Sequence, residues 1–207
     1  MEIGMEFKNI AITGHTRGIG KGLYDYFTAK GCQVKGFSLT NGFDISKKEN
    51  IDRIVELTRE CDLFINNAHC DYQQVEIAKL WQQQHWTSKH FIINVSSIAG
   101  EPFADVPNTM PWLTPYGEEK HTLNKISWDI NHSGSNCKSI LIMPGVVATN
   151  FYNRYDTETT NGQELYEMVM AKNSIIEVED LTKSIELVLQ SINGRNFISS
   201  FTLLNSY

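Results

Sequence analysis

The sequence predicts an α/β fold in one domain: a doubly wound parallel sheet with helices on both faces. Three observations lead there. Apolar stretches of strand length recur at residues 7–13, 33–39, 63–66, 91–95, 139–143 and 197–203. Segments of helical spacing fill most of the gaps between them, and strand and helix alternate along the chain. A parallel neighbour can be reached only by crossing a face of the sheet, so this alternation requires crossover helices. The 207 residues are 41% hydrophobic, without composition shift, repeat or low-complexity linker, so residues 1–207 read as a single domain.

The first apolar run ends at Thr13 and passes into Gly14-His15-Thr16-Arg17-Gly18-Ile19-Gly20, followed by a helical pattern through Leu23, Tyr26 and Phe27. Strand, glycine turn and helix in this order suit an anion. Glycines admit a close backbone approach, and the helix amino end offers unpaired N–H donors with partial positive charge. Taken alone the turn could be an ordinary tight connection, and its Gly-x-x-x-Gly-x-Gly spacing differs from the common Gly-x-Gly-x-x-Gly. Later in the chain, Leu123, Ile126 and Ile130 mark one face of a helix within residues 115–133, and Leu181, Ile185, Val188 and Ile192 mark another. In such a sheet ligands gather beyond the carboxyl ends of the strands.

A formal charge of -6 with scattered Lys and Arg gives no footprint for nucleic acid or an anionic membrane, so a small-molecule partner is expected. The first six residues lack the basic and apolar regions of a secretory signal, and no apolar run approaches the ~20 residues of a membrane span. A cytoplasmic protein is the expectation. Cys32, Cys61, Cys70 and Cys137 are isolated, which suggests reduced structural cysteines and neither a disulfide framework nor a metal site.

Five segments occur in an order that resembles the classical short-chain dehydrogenases/reductases: Thr13-Gly14 to Gly20, Asn66-Asn67-Ala68, Asn94-Val95-Ser96-Ser97, Tyr116-x-x-x-Lys120 and Pro144-Gly145. The resemblance runs from residue 7 to about 203. It implies a Rossmann-like domain that binds a nicotinamide dinucleotide and moves a hydride between it and a small carbonyl or alcohol. It also implies that Ser97 orients the substrate oxygen, that Tyr116 exchanges the proton, and that Lys120 lowers the tyrosine pKa and holds the nicotinamide ribose. Ser96 of the serine pair is expected to be structural. A tyrosine titrating near ~10 needs a shift of about 3 units to act near neutrality, roughly 4 kcal/mol. An ammonium ~4 Å away at an effective dielectric of ~20 supplies about that much, and residues four apart share a helix face. Tyr26 and Lys30 have the same spacing, but they lie late in the first helix, well past the glycine turn.

The same resemblance places Gly14, Thr16, Arg17, Gly18, Ile19, Gly20, Ser38, Asp44, Ile45, Asn67, Ala68 and His69 along the cofactor, with Pro144, Gly145, Val147 and Thr149 around the nicotinamide. NADP(H) is favoured over NAD(H). No carboxylate occurs in residues 37–40 to bind a ribose 2′-hydroxyl, and the Arg17 guanidinium could pair with a 2′-phosphate or simply be a solvated charge. Asp44 could touch the adenine, or cap a helix beginning near Ser46.

The sequence also departs from the family. His69 stands where a glycine is usual after Asn-Asn-Ala. No Asn occurs in the short stretch 70–90, so the asparagine that completes the family's catalytic tetrad has no clear counterpart; Gln73 or Gln74 could substitute. Residues 101–113, with Trp112, form an extended segment able to border the site, and residues 150–173, with Phe151, Tyr152 and Tyr155, occupy the place of a substrate lid. Trp81 and Trp86 are read as core rather than an oligomer contact. The resemblance implies a homodimer or homotetramer. A sensor or scaffold that binds NADP(H) without turnover is the competing reading.

Overall fold

The computed structural model describes residues 7–84, 86–102, 114–149, 175–192 and 196–204. Its centre is a six-stranded sheet of β1 (Asn9–Thr13), β2 (Gln33–Phe37), β3 (Leu63–Asn66), β4 (His90–Val95), β5 (Cys137–Pro144) and β8 (Ser200–Leu203), in the order β2-β1-β3-β4-β5-β8. Every neighbouring pair is parallel, with Ile10 opposite both Val34 and Leu63 and Asn66 opposite Asn94. Two short strands, β6 (Val146–Val147) and β7 (Ile175–Ile176), pair beside it.

Helix α1 (Gly18–Ala29) links β1 to β2, α2 (Lys48–Leu57) links β2 to β3, α3 (Gln73–Gln82) links β3 to β4, α4 (Thr114–His132) links β4 to β5, and α5 (Val178–Gln190) precedes β8. Alternate strand residues face opposite layers. Ile10, Ile12, Leu63, Ile65, Phe91 and Ile93 pack with Leu23 and Phe27 of α1 and with Leu181, Ile185 and Val188 of α5. Ala11, Phe64 and Ile92 pack with Ile51 and Ile54 of α2, Ile77 and Trp81 of α3, and Leu123 and Ile130 of α4. Burial on both faces explains why these strands read as unbroken apolar runs instead of alternating ones. Trp81 is 0% exposed and its indole N–H donates to Thr58 Oγ1 at 3.1 Å, while Trp86 packs at the edge of the same cluster. Trp81 is core, as expected, and Trp86 is partly buried.

The chain moves outward from β1 to β2 and then crosses back to β3 on the other side of β1. The strand order reverses between β1 and β3, and the crevice at such a reversal is where this architecture takes ligands. The expected boundaries shift by a few residues: Leu39 leaves β2 for a 3-10 turn, Leu39–Asn41, and the last strand begins at Ser200 rather than 197. Helix α2 starts at Lys48 with Lys47 as its N-cap, so the expected cap by Asp44 is not formed. Asp44 Oδ1 instead accepts the backbone N–H of Ser46 at 3.0 Å and the Ser46 hydroxyl at 2.7 Å, closing a local turn before the helix. Among the described residues, no helix is long and apolar enough to cross a membrane.

Candidate active site

The glycine turn sits at the carboxyl end of β1. Gly14 and Gly18 have φ of 73° and 55°, in the left-handed region where a Cβ is penalised. The turn is anchored sideways: Gly14 N–H donates to Phe37 O at 2.7 Å, tying it to the end of β2. From β3, the Asn67 carboxamide donates to Thr13 O at 3.0 Å, and Thr13 Oγ1 accepts the backbone N–H groups of Asn67 and Ala68. Asn67 thus fastens the turn to the sheet. A Cβ at Gly20 would fall onto the Gly14 carbonyl oxygen, and one at Gly14 would come within 2.9 Å of Asn67 Nδ2. Backbone therefore lies open where α1 begins, with Thr16 and Arg17 exposed beside it. Thr149 approaches from beyond β6, so that a Cβ on Gly18 would meet Thr149 Cγ2 at 3.3 Å. A cradle of N–H groups at a helix start, closed in by Ala68 and Thr149, fits a pyrophosphate.

At the end of β2, Ser38 is buried and its hydroxyl pairs with Thr40 Oγ1 at 2.8 Å, inside the 3-10 turn. The His15 ring lies over Gly36, where any Cβ would collide with it, and is tilted against the Tyr24 ring with centres 5.0 Å apart. Ile45, expected at the adenine, is 8% exposed and belongs to the core beside Phe37.

One strand further, β4 is followed by Ser96 and Ser97. Ser96 Oγ donates to Asn124 Oδ1 at 2.5 Å. Ser97 opens a 3-10 turn, Ile98–Gly100, and its Oγ accepts the Ala99 N–H at 3.2 Å. This turn is seated on α4 through Gly100, whose carbonyl accepts from Asn124 Nδ2 at 3.1 Å and faces His121 Nδ1 at 3.0 Å. A Cβ at Gly100 would lie 2.7 Å from the Lys120 carbonyl carbon. Absence of a side chain there lets the Ser97 turn meet the helix carrying Tyr116 and Lys120. Sequence reading passed over Gly100, because an isolated glycine after a strand resembles any turn glycine.

Tyr116 and Lys120 share a face of α4, as the spacing predicts, with Lys120 Nζ 5.4 Å from the Tyr116 ring centre. Lys120 is 3% exposed. It donates to Gln74 Oε1 at 2.7 Å and to Val95 O at 3.0 Å. Burial pulls its pKa from the usual lysine range down to about 7, opposed in part by the Glu119 carboxylate. The rival pair behaves differently: Lys30 reaches over Tyr26 at the end of α1, is 57% exposed, and bonds Glu186 of α5 at 3.2 Å. Hydrogen bonds to Tyr26 and to Glu186 raise its pKa rather than lower it.

His69 faces the same helix. Its Nε2 lies 2.6 Å from Glu119 Oε2, and its ring meets the Tyr116 ring edge-to-face at 5.0 Å. Burial, and then the nearby Asp71, raise the Glu119 pKa. Behind the pair runs a polar chain at the strand ends: Asn66 Nδ2 donates to Asn94 Oδ1 at 2.8 Å, and Asn94 Nδ2 to the hydroxyls of Ser127 and Ser139 at 3.0 and 3.1 Å. Gly145, Val147 and Thr149 stand where β5 gives way to β6, with Gly145 N–H bonded to Leu203 O at 2.9 Å. Trp112, Phe151, Tyr152 and Tyr155 lie outside the described residues. Among those described, no group of His, Cys, Asp and Glu could hold a metal. Burial pushes the thiols of Cys61 and Cys137 up to about 11 and about 12.

No family profile and no curated protein matches the sequence. Solved structures do match over nearly its whole length. A 3-alpha-hydroxysteroid dehydrogenase from Pseudomonas sp. B-0831, complexed with NADH, is 16% identical with a TM-score of 0.72, covering 94% of this chain and 93% of its own. A serine dehydrogenase complexed with NADP+ is 17% identical with a TM-score of 0.68, covering 96% of each chain. A short-chain dehydrogenase from Streptomyces avermitilis is 16% identical with a TM-score of 0.66, covering 96% of this chain and 89% of its own.

Proposed function

We propose that this chain, which has the fold of the short-chain dehydrogenases, is an NADP(H)-dependent oxidoreductase acting on a small carbonyl or alcohol, with Tyr116 as the proton donor and acceptor. The observation that carries the reading is the Lys120 amine, buried one helical turn from Tyr116 on a helix whose backbone at Lys120 packs closely against Gly100 of the turn that Ser97 opens. A buried lysine with a depressed pKa beside a phenol, at the carboxyl ends of a parallel sheet, is the kind of constellation that acid–base chemistry uses.

The bound nicotinamide would supply or accept the hydride. Backbone N–H groups of the turn between His15 and Gly20 would hold its pyrophosphate, and Ala68, Val147 and Thr149 would flank it. Ser97 would fix the substrate oxygen while the Tyr116 phenol gives it a proton, and in the reverse direction Tyr116 takes that proton back. A protonated Lys120 nearby stabilises the phenolate left behind, because its positive charge acts across a dry interior of low effective dielectric. The exposed Arg17 at the mouth of the turn and the carboxylate-free end of β2 support a preference for the 2′-phosphate.

One observation favours a cofactor-binding protein without turnover: both acceptors of the Lys120 amine lie within the fold, at Gln74 and Val95. Titrating NADPH and NADH against the tryptophan fluorescence, then following turnover across a carbonyl panel, separates the readings. The enzyme reading expects NADPH to bind more tightly and Tyr116→Phe to abolish turnover while leaving binding intact. Binding without turnover of any carbonyl supports the sensor, and tighter NADH binding overturns the cofactor preference.

A further inference from the structure

Gln74 is 2% exposed and occupies the inner stripe of α3 with Ala78 and Trp81. Three partners settle the orientation of its carboxamide. Its NH2 group donates to Asn66 O at 2.6 Å and to Val95 O at 2.9 Å, which leaves Oε1 facing Lys120 Nζ at 2.7 Å. Turning the amide over would set donor against donor at the ammonium and acceptor against acceptor at both carbonyls, so the arrangement is single-valued. The backbone is clamped as well: Asn66 Nδ2 donates back to Gln74 O at 2.7 Å. Gln74 is therefore fixed to the ends of β3 and β4, and it presents one oxygen to the amine.

The second acceptor, Val95 O, receives both Lys120 and Gln74 and belongs to the residue before Ser96. Both acceptors are uncharged. They direct the amine without stabilising its charge as a carboxylate would. Charges reach it from elsewhere: from Glu119 on its own helix and, acting on Glu119, from Asp71 after β3. His69 engages Glu119 from the same segment, and the Tyr116 phenol shares the helix.

We infer that Gln74 is a positioning residue of the site, a neutral acceptor that fixes the Lys120 amine against the end of β4 within reach of Tyr116. The inference rests on the oxidoreductase reading for its consequence in turnover, but the contact itself can be tested without it. It supplies from a side chain on α3 what the sequence, lacking an Asn in residues 70–90, leaves open.

In the wild-type chain, the ε-carbon of Lys120, assigned by Lys120→Arg, and the carboxamide carbon of Gln74 are expected to titrate together by NMR, with one midpoint near neutrality. Gln74→Met removes one acceptor and should lower the Lys120 midpoint by about one pH unit. Gln74→Glu places a carboxylate there and should raise it by more than that. In turnover, Gln74→Met should lose about tenfold in kcat, with cofactor affinity nearly unchanged and the limb of the pH profile moved in the same direction as the midpoint. A Gln74 carboxamide that ignores the Lys120 titration, or a Lys120 midpoint unmoved in a folded variant, overturns the inference. If neither variant folds, the wild-type co-titration decides alone. Co-titration in a chain that turns over no carbonyl leaves the positioning role standing and defeats the oxidoreductase reading.

Discussion

Replacing Lys120 with Met should change how folding stability depends on pH, and the sign and size follow from its surroundings. In the fold the amine titrates at about 7 because burial disfavours its charge, whereas in an unfolded chain it keeps its proton to about 10.4. Below pH 7 both states are protonated and the fold bears the full cost of burying the ammonium. From there toward pH 10 the unfolded state binds more protons, so stability rises with pH, by up to about 1.4 kcal/mol per unit. Lys120→Met removes this titration and leaves the others in place. The stability of wild type minus that of the variant should therefore climb by about 2 kcal/mol between pH 7 and pH 9. Urea unfolding followed by tryptophan fluorescence measures both proteins, since the buried Trp81 reports loss of the core. Parallel curves, with a difference that does not change over this range, would mean that the amine keeps an ordinary affinity for its proton. The cost of burying its charge would then be offset in the fold by partners of the ammonium.

Other perturbations follow from the same contacts. Gly100→Ala puts a methyl 2.7 Å from the Lys120 carbonyl carbon, and separating the Ser97 turn from α4 should cost about a hundredfold in kcat while dinucleotide binding persists; unchanged kcat would show that the turn's seat does not matter. Gly20→Ala drives a methyl onto the Gly14 carbonyl oxygen and should abolish NADPH binding in a fluorescence titration. Arg17→Ala should weaken NADPH by about tenfold and leave NADH unaffected, and equal losses for both would remove the 2′-phosphate from its account. Trp81→Ala should destabilise the fold by ~3–5 kcal/mol in urea unfolding, through the cavity beside Phe64 and the lost bond to Thr58.

Much of the architecture was legible because strands buried on both faces must be apolar throughout, so Ile10 to Ile12 and Leu63 to Ile65 stood out without alternation. Tyr116 and Lys120 were legible as a pair since four residues make about one helical turn, and the position of α4 after the Ser96-Ser97 strand separated them from Tyr26 and Lys30. The start of α2 was not, because Asp44 can bond Ser46 as easily as it can cap a helix, and only the full backbone path decides between them. The choice between Gln73 and Gln74 carried a usable signal: Gln74 falls in register with Ala78 and Trp81, and a polar residue on a core stripe needs partners there. The pairing of His69 with Glu119 joins positions 50 apart in the chain, and no local pattern in the sequence brings them together.

The central claim, that Tyr116 and Lys120 serve a hydride transfer, is tested most directly by isotope labelling. NADPH deuterated at the transferring carbon is offered with a panel of small carbonyls, and the alcohol products are analysed by mass spectrometry. The account predicts one deuterium on the carbinol carbon with the wild-type chain and none with Tyr116→Phe, which should still bind the cofactor. Labelled alcohol formed equally well by Tyr116→Phe, or an alcohol formed without deuterium, would contradict it.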